Sequence, residues 1–342
     1  MGAGSRGSLR HRLLGLVAAE PGLSVSEIAA RLGASKSTVS VLVRRLEAEG
    51  LLRRVRRGSM VLVYPAQGAA GGSSPAGAEA RRLRLGIVRA AEYPFIAHLA
   101  KALRHRGVEL EVVVYDNGLD ASFDLVSGRL DLALAPLPTQ VLFYALTGRL
   151  RIIGGGAYGG AYVLESRAAR GHTAYTTRAS TMELCLNTSG VVDYAEAVVY
   201  AGAGHGIEEA LARGRARYAA LWEPYASQAL SRGDVRVVAA CSDLGVENCC
   251  TLAANPDRLG PEQRSLIARL YSEALAEYQR RPDAMLEWYS GLTGIPVDTL
   301  RRVQASYRIA HEVNPATAER ILERAGMRMP RPALVREAVE QP

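Results

Sequence analysis

The positive charge of this chain is concentrated in its first 65 residues. That segment carries +7 of the formal net charge of +8, so the remainder of the 342 residues is almost neutral. The summed field of a compact basic segment attracts polyanions such as nucleic acids. The charge distribution therefore predicts a polyanionic partner for the N-terminal segment alone.

Three short amphipathic helices are predicted in this segment. The first has an apolar stripe at helical spacing, formed by Leu9, Leu13, Leu16 and Val17. Ser24 and Glu27 have the spacing of a capping box, which opens a second helix that ends at Gly33. Ser35 can cap a third helix, whose inner face is formed by Val39, Leu42, Val43 and Leu46.

The outer face of the third helix has the residue types of a helix that reads a DNA major groove. Short hydroxyls and a lysine near its N-terminus suit base edges, and arginines farther along suit phosphates. Two strands are predicted next, from Leu51 to Arg56 and from Met60 to Tyr64, joined by a turn at residues 57–59. The predicted DNA-contacting residues are Ser35, Lys36, Ser37, Ser40, Arg44, Arg45, Arg56 and Arg57.

The order of helix, turn, recognition helix and hairpin over residues 8–64 resembles the winged helix-turn-helix of bacterial and archaeal transcription regulators. The resemblance is carried by the run from Ser24 to Ser40 and by the run from Leu46 to Leu52. It implies that the partner is double-stranded DNA. The alternative is a small helical bundle with a hairpin that mediates only protein contacts.

A change of composition marks a domain boundary after this segment. Residues 66–80 consist almost entirely of Gly, Ala, Ser and Pro and have no apolar periodicity. Such a composition is typical of a flexible linker, which we assign to residues 66–82. The winged helix would then occupy residues 1–65, and a second domain residues 83–342.

The second domain begins with alternating strands and helices. Strands are predicted from Leu83 to Val88, from Val108 to Tyr115 and from Leu130 to Ala135, with a helix from about Pro94 to Arg106 between the first two. Strand, helix and strand in succession predict a parallel sheet and an α/β fold. A similar succession recurs with strands at 172–177, 197–200, 216–221 and 235–240, so we expect two α/β lobes with a cleft between them.

These lobes resemble the type 2 periplasmic-binding-protein fold, in the branch of NMT1/THI5-like and ABC-transporter substrate-binding proteins. The resemblance covers residues 83–310 and is carried by the stretches Val126–Ala133, Arg178–Thr181 and Ala219–Ala226. It implies that the chain crosses between lobes near residues 160–170 and 245–252. Lobe I would contain residues 83–160 and 250–310, closed by helices at 261–278 and 282–289, and lobe II residues 161–249.

Small molecules bind beyond the carboxyl ends of the strands in an open parallel sheet. Ser180 and Thr181 open a helix, where backbone amides and hydroxyls favour an anion. For Trp222 and Tyr225, packing between the lobes is an equally good alternative to ligand contact. For Glu223, the alternative is that it begins a helix. The predicted ligand-binding residues are Arg89, Glu92, Tyr93, Asp116, Thr139, Ser180, Thr181, Trp222, Glu223 and Tyr225.

The sequence indicates no catalytic residue, metal site or cofactor. Cys185 and Cys241 are interpreted as small buried hydrophobes, and the adjacent Cys249 and Cys250 fit neither a Cys-x-x-Cys metal pair nor an ordinary mutual disulfide. The six histidines show no metal-ligand spacing. The enzyme branch of the resembling family uses a lysine-bound pyridoxal phosphate, whereas the two lysines here lie in helices away from the cleft loops.

These features predict a cytoplasmic, ligand-responsive transcription regulator. The first apolar run is too short for an export signal and is interpreted as the first helix, and no run is long enough for a membrane span. The arrangement resembles LysR-type regulators in outline, with a Gly-Ala-Ser-Pro linker in place of their pairing helix, and a homodimer or higher homo-oligomer is expected. The alternatives are a thiamine-pyrimidine-synthesis-type enzyme with a DNA-binding head, and a DNA-binding module whose lobes only mediate assembly.

Overall fold

The computed structural model describes residues 9–20, 22–49, 51–57, 60–65, 81–246, 249–327, 331 and 333–340. The chain divides into two compact units. The first comprises Met1–Arg81 together with Met285–Gly294, and the second comprises Arg82–Ala284 and Ile295–Pro342. Residues 66–80 of the expected linker lie outside the described part of the chain.

The first unit is a three-helix bundle with a small antiparallel sheet. Its N-terminal elements are α1 (Leu9–Ala19), β1 (Leu23–Ser24), α2 (Val25–Leu32), α3 (Lys36–Ala48), β2 (Leu52–Arg57) and β3 (Met60–Pro65). The strand order is β1-β3-β2, and both pairings are antiparallel. The prediction of three helices and a hairpin is confirmed, and the short strand β1 was not predicted.

Local chemistry sets the boundaries of the helices. The Ser24 amide donates to Glu27 Oε2 at 2.8 Å and the Glu27 amide to Ser24 Oγ at 3.2 Å, which completes the predicted capping box. Gly33 ends α2 in the left-handed conformation, with φ 62°. Ser35 caps α3 by accepting from the Thr38 amide at 3.1 Å. The inward residues then form one apolar core, which contains Leu13, Val17, Ile28, Val39, Val43 and Leu46.

The second unit continues from β4 to the C-terminus. Its first elements are β4 (Arg81–Val88), α4 (Ile96–Arg104), β5 (Val108–Tyr115), α5 (Gly118–Val126), β6 (Leu132–Pro136), α6 (Leu137–Thr147), β7 (Arg151–Gly154) and β8 (Gly156–Gly159). Next come β9 (Ala161–Ser166), β10 (Thr173–Thr176), α7 (Thr181–Thr188), β11 (Ala197–Tyr200), α8 (Gly204–Ala212), β12 (Tyr218–Trp222), α9 (Tyr225–Leu230), β13 (Val235–Ala240) and β14 (Cys250–Ala254). The last are α10 (Pro261–Arg280), α11 (Leu286–Thr293), α12 (Val297–Val303), β15 (Tyr307–Ala310), α13 (Pro315–Arg324) and α14 (Leu334–Ala338).

Two five-stranded sheets form the two lobes. The lobe I sheet has the order β5-β4-β6-β14-β7 and the lobe II sheet the order β11-β10-β12-β9-β13. β4 and β6 pair in parallel, as do β10 and its two neighbours. The expectation of parallel sheets is corrected in part, because β14 lies antiparallel to β6 and β9 lies antiparallel to β12 and β13. Both antiparallel strands belong to segments where the chain passes between the lobes.

The C-terminal helices complete the core of lobe I beyond the limit of the predicted resemblance. Residues Val313, Leu322 and Val335 are buried in one cluster with Leu125, Val141 and Ile152. The glycines at residues 154–156 form a close-packed segment, because a Cβ on Gly155 would lie 2.1 Å from the Ala310 carbonyl oxygen. Among the described residues, no helix has the length and apolarity that crossing a membrane requires.

One disulfide corrects the interpretation of two cysteines. Cys185 and Cys241 are buried as expected, but they are bonded to each other, with their Cα atoms 5.4 Å apart. They lie 56 residues apart in sequence, in α7 and in the turn after β13. Only the packing of α7 against the lobe II sheet brings them together, so no local spacing indicates the bond.

The helix α11 belongs to the first unit although its neighbours in sequence belong to the second. The Ser24 hydroxyl donates to Glu287 Oε2 at 2.9 Å. This contact joins α11 to the N-cap of α2. The sequence predicts this helix as part of lobe I, whereas the structure groups it with the first unit.

Candidate functional site

The outer face of α3 is the candidate DNA-reading surface of the first unit. Lys36, Ser37, Arg44 and Arg45 are exposed, and Ser40 is half-buried. Ser35 is exposed at the N-cap, where its hydroxyl also lies 2.8 Å from Ser37 Oγ. Arg45 Nε donates to Glu49 Oε1 at 3.1 Å, so this guanidinium is held along the helix.

The hairpin β2–β3 is the candidate wing. Arg56 and Arg57 lie at the end of β2, and Arg57 is opposite Met60. Their side chains and residues 58–59 lie outside the described part of the structure. The Arg54 side chain donates to Glu47 Oε2 at 2.6 Å and thereby ties the wing to the recognition helix.

Val41 is a surface residue that the sequence interpretation missed. It lies on α3 between Ser37 and Arg45 at helical spacing, and 66% of its surface is exposed. An apolar side chain in this position can contact the methyl group of thymine in a major groove. Its position outside the inward-facing apolar stripe of α3 was the sequence feature that could have identified it as a surface residue.

A cavity of about 300 Å³ lies between the two lobes of the second unit. Lobe I lines it with the loop after β4, the start of α5, Pro136 and the cysteines before β14, and lobe II with the start of α7, the end of β11 and Trp222. Its lining residues are Val88, Ala90, Glu92, Tyr93, Asn117, Gly118, Leu119, Asp120, Pro136, Thr177, Arg178, Ser180, Thr181, Met182, Tyr200, Ala201, Gly202, Trp222, Cys249 and Cys250.

Half of the predicted ligand-binding residues line this cavity: Glu92, Tyr93, Ser180, Thr181 and Trp222. Ser180 caps α7 by accepting from the Glu183 amide at 3.3 Å. The Thr181 hydroxyl donates to the Cys249 carbonyl oxygen at 2.7 Å. Trp222 Nε1 donates to the Arg89 carbonyl oxygen at 3.0 Å, which fixes the indole at the cavity wall.

The other half, Arg89, Asp116, Thr139, Glu223 and Tyr225, lies outside the cavity lining. Thr139 Oγ1 donates to the Ala179 carbonyl oxygen at 2.6 Å, and Tyr225 packs edge-to-face on Trp222. Glu223 is buried and accepts from the Ser227 amide and hydroxyl at 3.0 and 2.8 Å. Burial raises the pKa of the Glu223 carboxyl, and the bonds from Ser227 oppose this. Asp116 is exposed.

Two helix N-termini, one from each lobe, open onto the cavity. The first turn of a helix has amides without partners inside the helix. At α5, Asn117 Oδ1 accepts from the Asp120 amide at 2.9 Å, and at α7 Ser180 caps the Glu183 amide. Gly118 is required at α5, because a Cβ there would lie 2.4 Å from Pro136 Cδ.

The mouth of the cavity carries a cation. The Arg178 guanidinium lies over the Tyr200 ring, with its central carbon 3.7 Å from the ring centroid. Ala179, the next residue, adopts the left-handed backbone conformation with φ 50°, which is uncommon for a non-glycine residue. Helix N-termini and a guanidinium together favour an anionic group on a bound molecule.

The floor of the cavity is formed by Glu92, Tyr93 and the two free cysteines, Cys249 and Cys250. All four residues are buried. Burial raises the pKa of Glu92 to about 7. Burial also raises the pKa of Cys250 well above its usual value, with a contribution from the neighbouring Cys249.

The predicted ligand-binding residues did not include the lining residues Asn117, Arg178, Tyr200, Cys249 and Cys250. Asn117 closely follows the predicted strand that ends at Tyr115, so its position carried a signal. The cysteines carried none, because β14 brings them to the cavity from far along the chain. Among the described lining residues there is no lysine, and Lys101 lies on α4.

Residues 7–59 match the model of the MarR family. The first unit therefore contains a MarR-family winged-helix domain. The match ends within the wing and covers every residue of the exposed α3 face. This domain is a DNA-binding domain of transcription regulators, so the expected resemblance to a winged helix-turn-helix is confirmed.

Solved structures identify the fold of the lobes. The alkanesulfonate-binding protein SsuA from Xanthomonas axonopodis pv. citri, bound to MOPS, matches with a TM-score of 0.60 and 17% identity, over 77% of this chain and 99% of that one. Escherichia coli SsuA matches with a TM-score of 0.60 and 18% identity, over 77% and 93%. Candida albicans CA3427 matches with a TM-score of 0.59 and 7% identity, over 76% and 96%.

These structural matches establish the two-lobed periplasmic-binding-protein fold, which confirms the predicted fold class, and their sequence identities are low. They are too low to transfer a ligand. No curated protein matches this chain. The chain thus joins a MarR-family domain to a substrate-binding-protein fold.

Proposed function

We propose that this protein is a cytoplasmic transcription regulator that binds duplex DNA through residues 1–65 and a small molecule through the cavity between its lobes. Residues 66–82 would link this head to the sensor, residues 83–342. The observation that carries the proposal is the cavity of about 300 Å³ lined by both lobes, in a chain that also contains a MarR-family domain. The lobes are proposed to bind an effector rather than to catalyse a reaction.

The proposed effector is a small molecule with an anionic group. The N-termini of α5 and α7 and the Arg178 guanidinium support this choice, because all three favour negative charge. Leu119, Met182 and Trp222 would contact its apolar part. The likeness to an alkanesulfonate-binding protein makes sulfonates a sensible first class to test.

The proposed DNA interface has two functions on separate residues. Ser35, Lys36, Ser37 and Ser40 would contact base edges, whereas Arg44, Arg45, Arg56 and Arg57 would contact phosphates. The exposure of the α3 residues supports their part of this assignment. Phosphate contacts release counterions, so affinity should fall by about 0.9 log unit per log unit of salt for each contact.

The DNA part of the proposal is tested by binding-site selection followed by a salt titration. Ser37→Ala is expected to change the selected sequence. Arg44→Gln is expected to keep the selected sequence and to make the salt slope shallower by about 0.9. Arg149→Gln, which replaces an exposed arginine of lobe I, is the control and should leave both unchanged. Absence of duplex binding at low salt would overturn the assignment.

Oligomeric state and compartment are tested separately. A homodimer or higher homo-oligomer is expected, because many regulators read paired half-sites, and light scattering on the full chain measures it. In a reducing cytoplasm outside hyperthermophilic organisms, the Cys185–Cys241 pair is expected to be reduced. Alkylation of cysteines at the moment of cell lysis measures this state directly.

A further inference from the structure

Three side chains of metal-binding type meet at the floor of the cavity. They are Glu92, in the loop after β4, and the adjacent Cys249 and Cys250 at the start of β14. A carboxylate oxygen and the two Sγ atoms all lie within 4.8 Å of one another. The residues come from segments more than 150 positions apart, so the fold itself assembles the cluster.

The backbone holds the two cysteines in a fixed register. Cys250 is paired with Pro136 where β14 runs antiparallel to β6. The Cys249 carbonyl oxygen accepts from the Thr181 hydroxyl at 2.7 Å and from the Leu137 amide at 3.2 Å. These bonds come from both lobes and orient the cysteine pair toward the cavity before any ligand binds.

The cluster contains one buried carboxylate oxygen without a geometrically good hydrogen bond. Glu92 is 3% exposed, and its Oε1 atom has no hydrogen-bond partner among the described residues. Leaving such groups unsatisfied is costly, whereas a cation on the carboxylate would supply the missing partner.

We propose that Glu92, Cys249 and Cys250 bind a thiophilic divalent cation of the Zn²⁺ class. Two sulfurs exclude the hard cations Mg²⁺ and Ca²⁺, and the carboxylate oxygen suits Zn²⁺ better than Cu⁺. Zn²⁺ bonds of about 2.3 Å to sulfur and about 2.1 Å to oxygen require the donors to move together by about 1 Å at most. Each thiol releases its proton when it coordinates.

Three protein ligands leave the fourth tetrahedral position open to the cavity. A donor atom of a bound molecule or a water would complete the coordination. This site goes beyond the proposed function and does not depend on DNA binding. It would make the cavity a receptor for a metal ion, or for a small molecule that can bind a metal.

The test uses the full chain, freed of metal by a chelator, in a buffer that keeps thiols reduced. Co²⁺ is the probe, because a tetrahedral site with thiolate ligands gives a sulfur-to-cobalt charge-transfer band and intense visible bands. We expect one Co²⁺ per chain, displaced by one Zn²⁺. The double variant Cys249→Ser with Cys250→Ser should lose the charge-transfer band, and Glu92→Gln should bind Co²⁺ at least tenfold more weakly.

Matched controls separate this site from adventitious binding. Asp120→Asn replaces another carboxylate of the same cavity, and Cys185→Ser with Cys241→Ser removes the other cysteine pair. Both should retain the cobalt spectrum, and thermal unfolding verifies that every variant is folded. Failure of the reduced native chain to bind Co²⁺ or Zn²⁺ would overturn the proposal, as would an unchanged spectrum in the Cys249 and Cys250 variant. Neither result would affect the DNA-binding assignment.

Discussion

Val41 presents an apolar side chain on a helix face that is otherwise polar. Because 66% of its surface is exposed, we expect this side chain to lose contact with water only when the helix face meets DNA. We predict that Val41→Ser lowers affinity for a selected duplex by about 1 kcal/mol. Binding to duplexes with uracil in place of thymine is the measurement, because uracil lacks only the methyl group.

Replacing thymine by uracil should lower the affinity at one position of the duplex. This loss of affinity should not add to the loss caused by Val41→Ser. Val238→Ser is the control, since Val238 is an exposed valine of lobe II. Equal sensitivity of native and Val41→Ser protein to uracil at every position would contradict this contact.

Glu223 gives a prediction about pH. Its folded-state pKa is raised from 4.5 by burial, so the folded protein holds the proton more tightly than the unfolded chain. Its contribution to stability is present below pH 4.5 and is lost as the pH rises through the folded-state pKa. Glu223→Gln should remove this part of the decrease in stability with rising pH, because glutamine stays neutral and can still form a hydrogen bond with Ser227.

The pH dependence of the thermal midpoint of the native chain and of Glu223→Gln measures the effect. The control is Asp116→Asn, which replaces an exposed carboxylate directly after β5. Its thermal midpoint should follow the native curve. If the thermal midpoint of Glu223→Gln depended on pH as steeply as that of the native chain, the raised pKa of this carboxyl would be contradicted.

At the scale of elements, the disulfide ties α7 to the turn after β13. Closing a loop of 56 residues should stabilise the folded state by up to about 4 kcal/mol relative to the reduced chain. We predict that Cys185→Ser with Cys241→Ser lowers the thermal midpoint of the second unit and makes it insensitive to reductant. Calorimetry with and without reductant measures both effects. An identical midpoint for native and variant proteins under oxidising conditions would refute the contribution.

The contact between α11 and the N-cap of α2 predicts a route of communication, given the proposed function. Helix α11 lies within the sensor segment in sequence but is part of the first unit, where Glu287 accepts from the Ser24 hydroxyl at 2.9 Å. Glu287→Ala is expected to reduce the effect of an effector on DNA affinity by at least threefold. The capping bonds between Ser24 and Glu27 do not involve Glu287, so affinity without effector should be retained.

Glu273→Ala, an exposed carboxylate on α10, is the matched control for this prediction. Titration of the selected duplex with and without effector compares the variants. A full effector response in Glu287→Ala would place the communication elsewhere.

The elements differ in how far the sequence could predict them. Local signals fixed those of the first unit, since Ser24, Glu27, Gly33 and Ser35 set helix ends through contacts within a few residues. The antiparallel direction of β9 and β14 could not be predicted, because it depends on where the chain enters each sheet after crossing between the lobes. The partner of Cys185 was unpredictable for the same reason: it is set by packing over 56 residues.

At the scale of the whole molecule, the two-part architecture was predictable because its signals are long and redundant. A wrong interpretation of one residue changes neither the net charge of the first 65 residues nor the repeated pattern of strands and helices. The cavity was predicted only in part, since topology locates loops but not the direction of side chains. Ser180 and Thr181 were found because a helix start fixes their orientation, whereas Glu223 turned inward to bond Ser227.

The proposed function requires that an effector bound in the cavity changes the affinity of the protein for DNA. The most direct test measures the affinity of the full chain for its selected duplex with and without MOPS, methanesulfonate and extracts of the producing cells. Thr181→Arg, which fills the cavity, is compared throughout. We expect at least a threefold change in DNA affinity with one of these additions for the native chain, and no change for Thr181→Arg. Equal affinities for the native chain under every addition, or an undiminished response in Thr181→Arg, would contradict the proposed function.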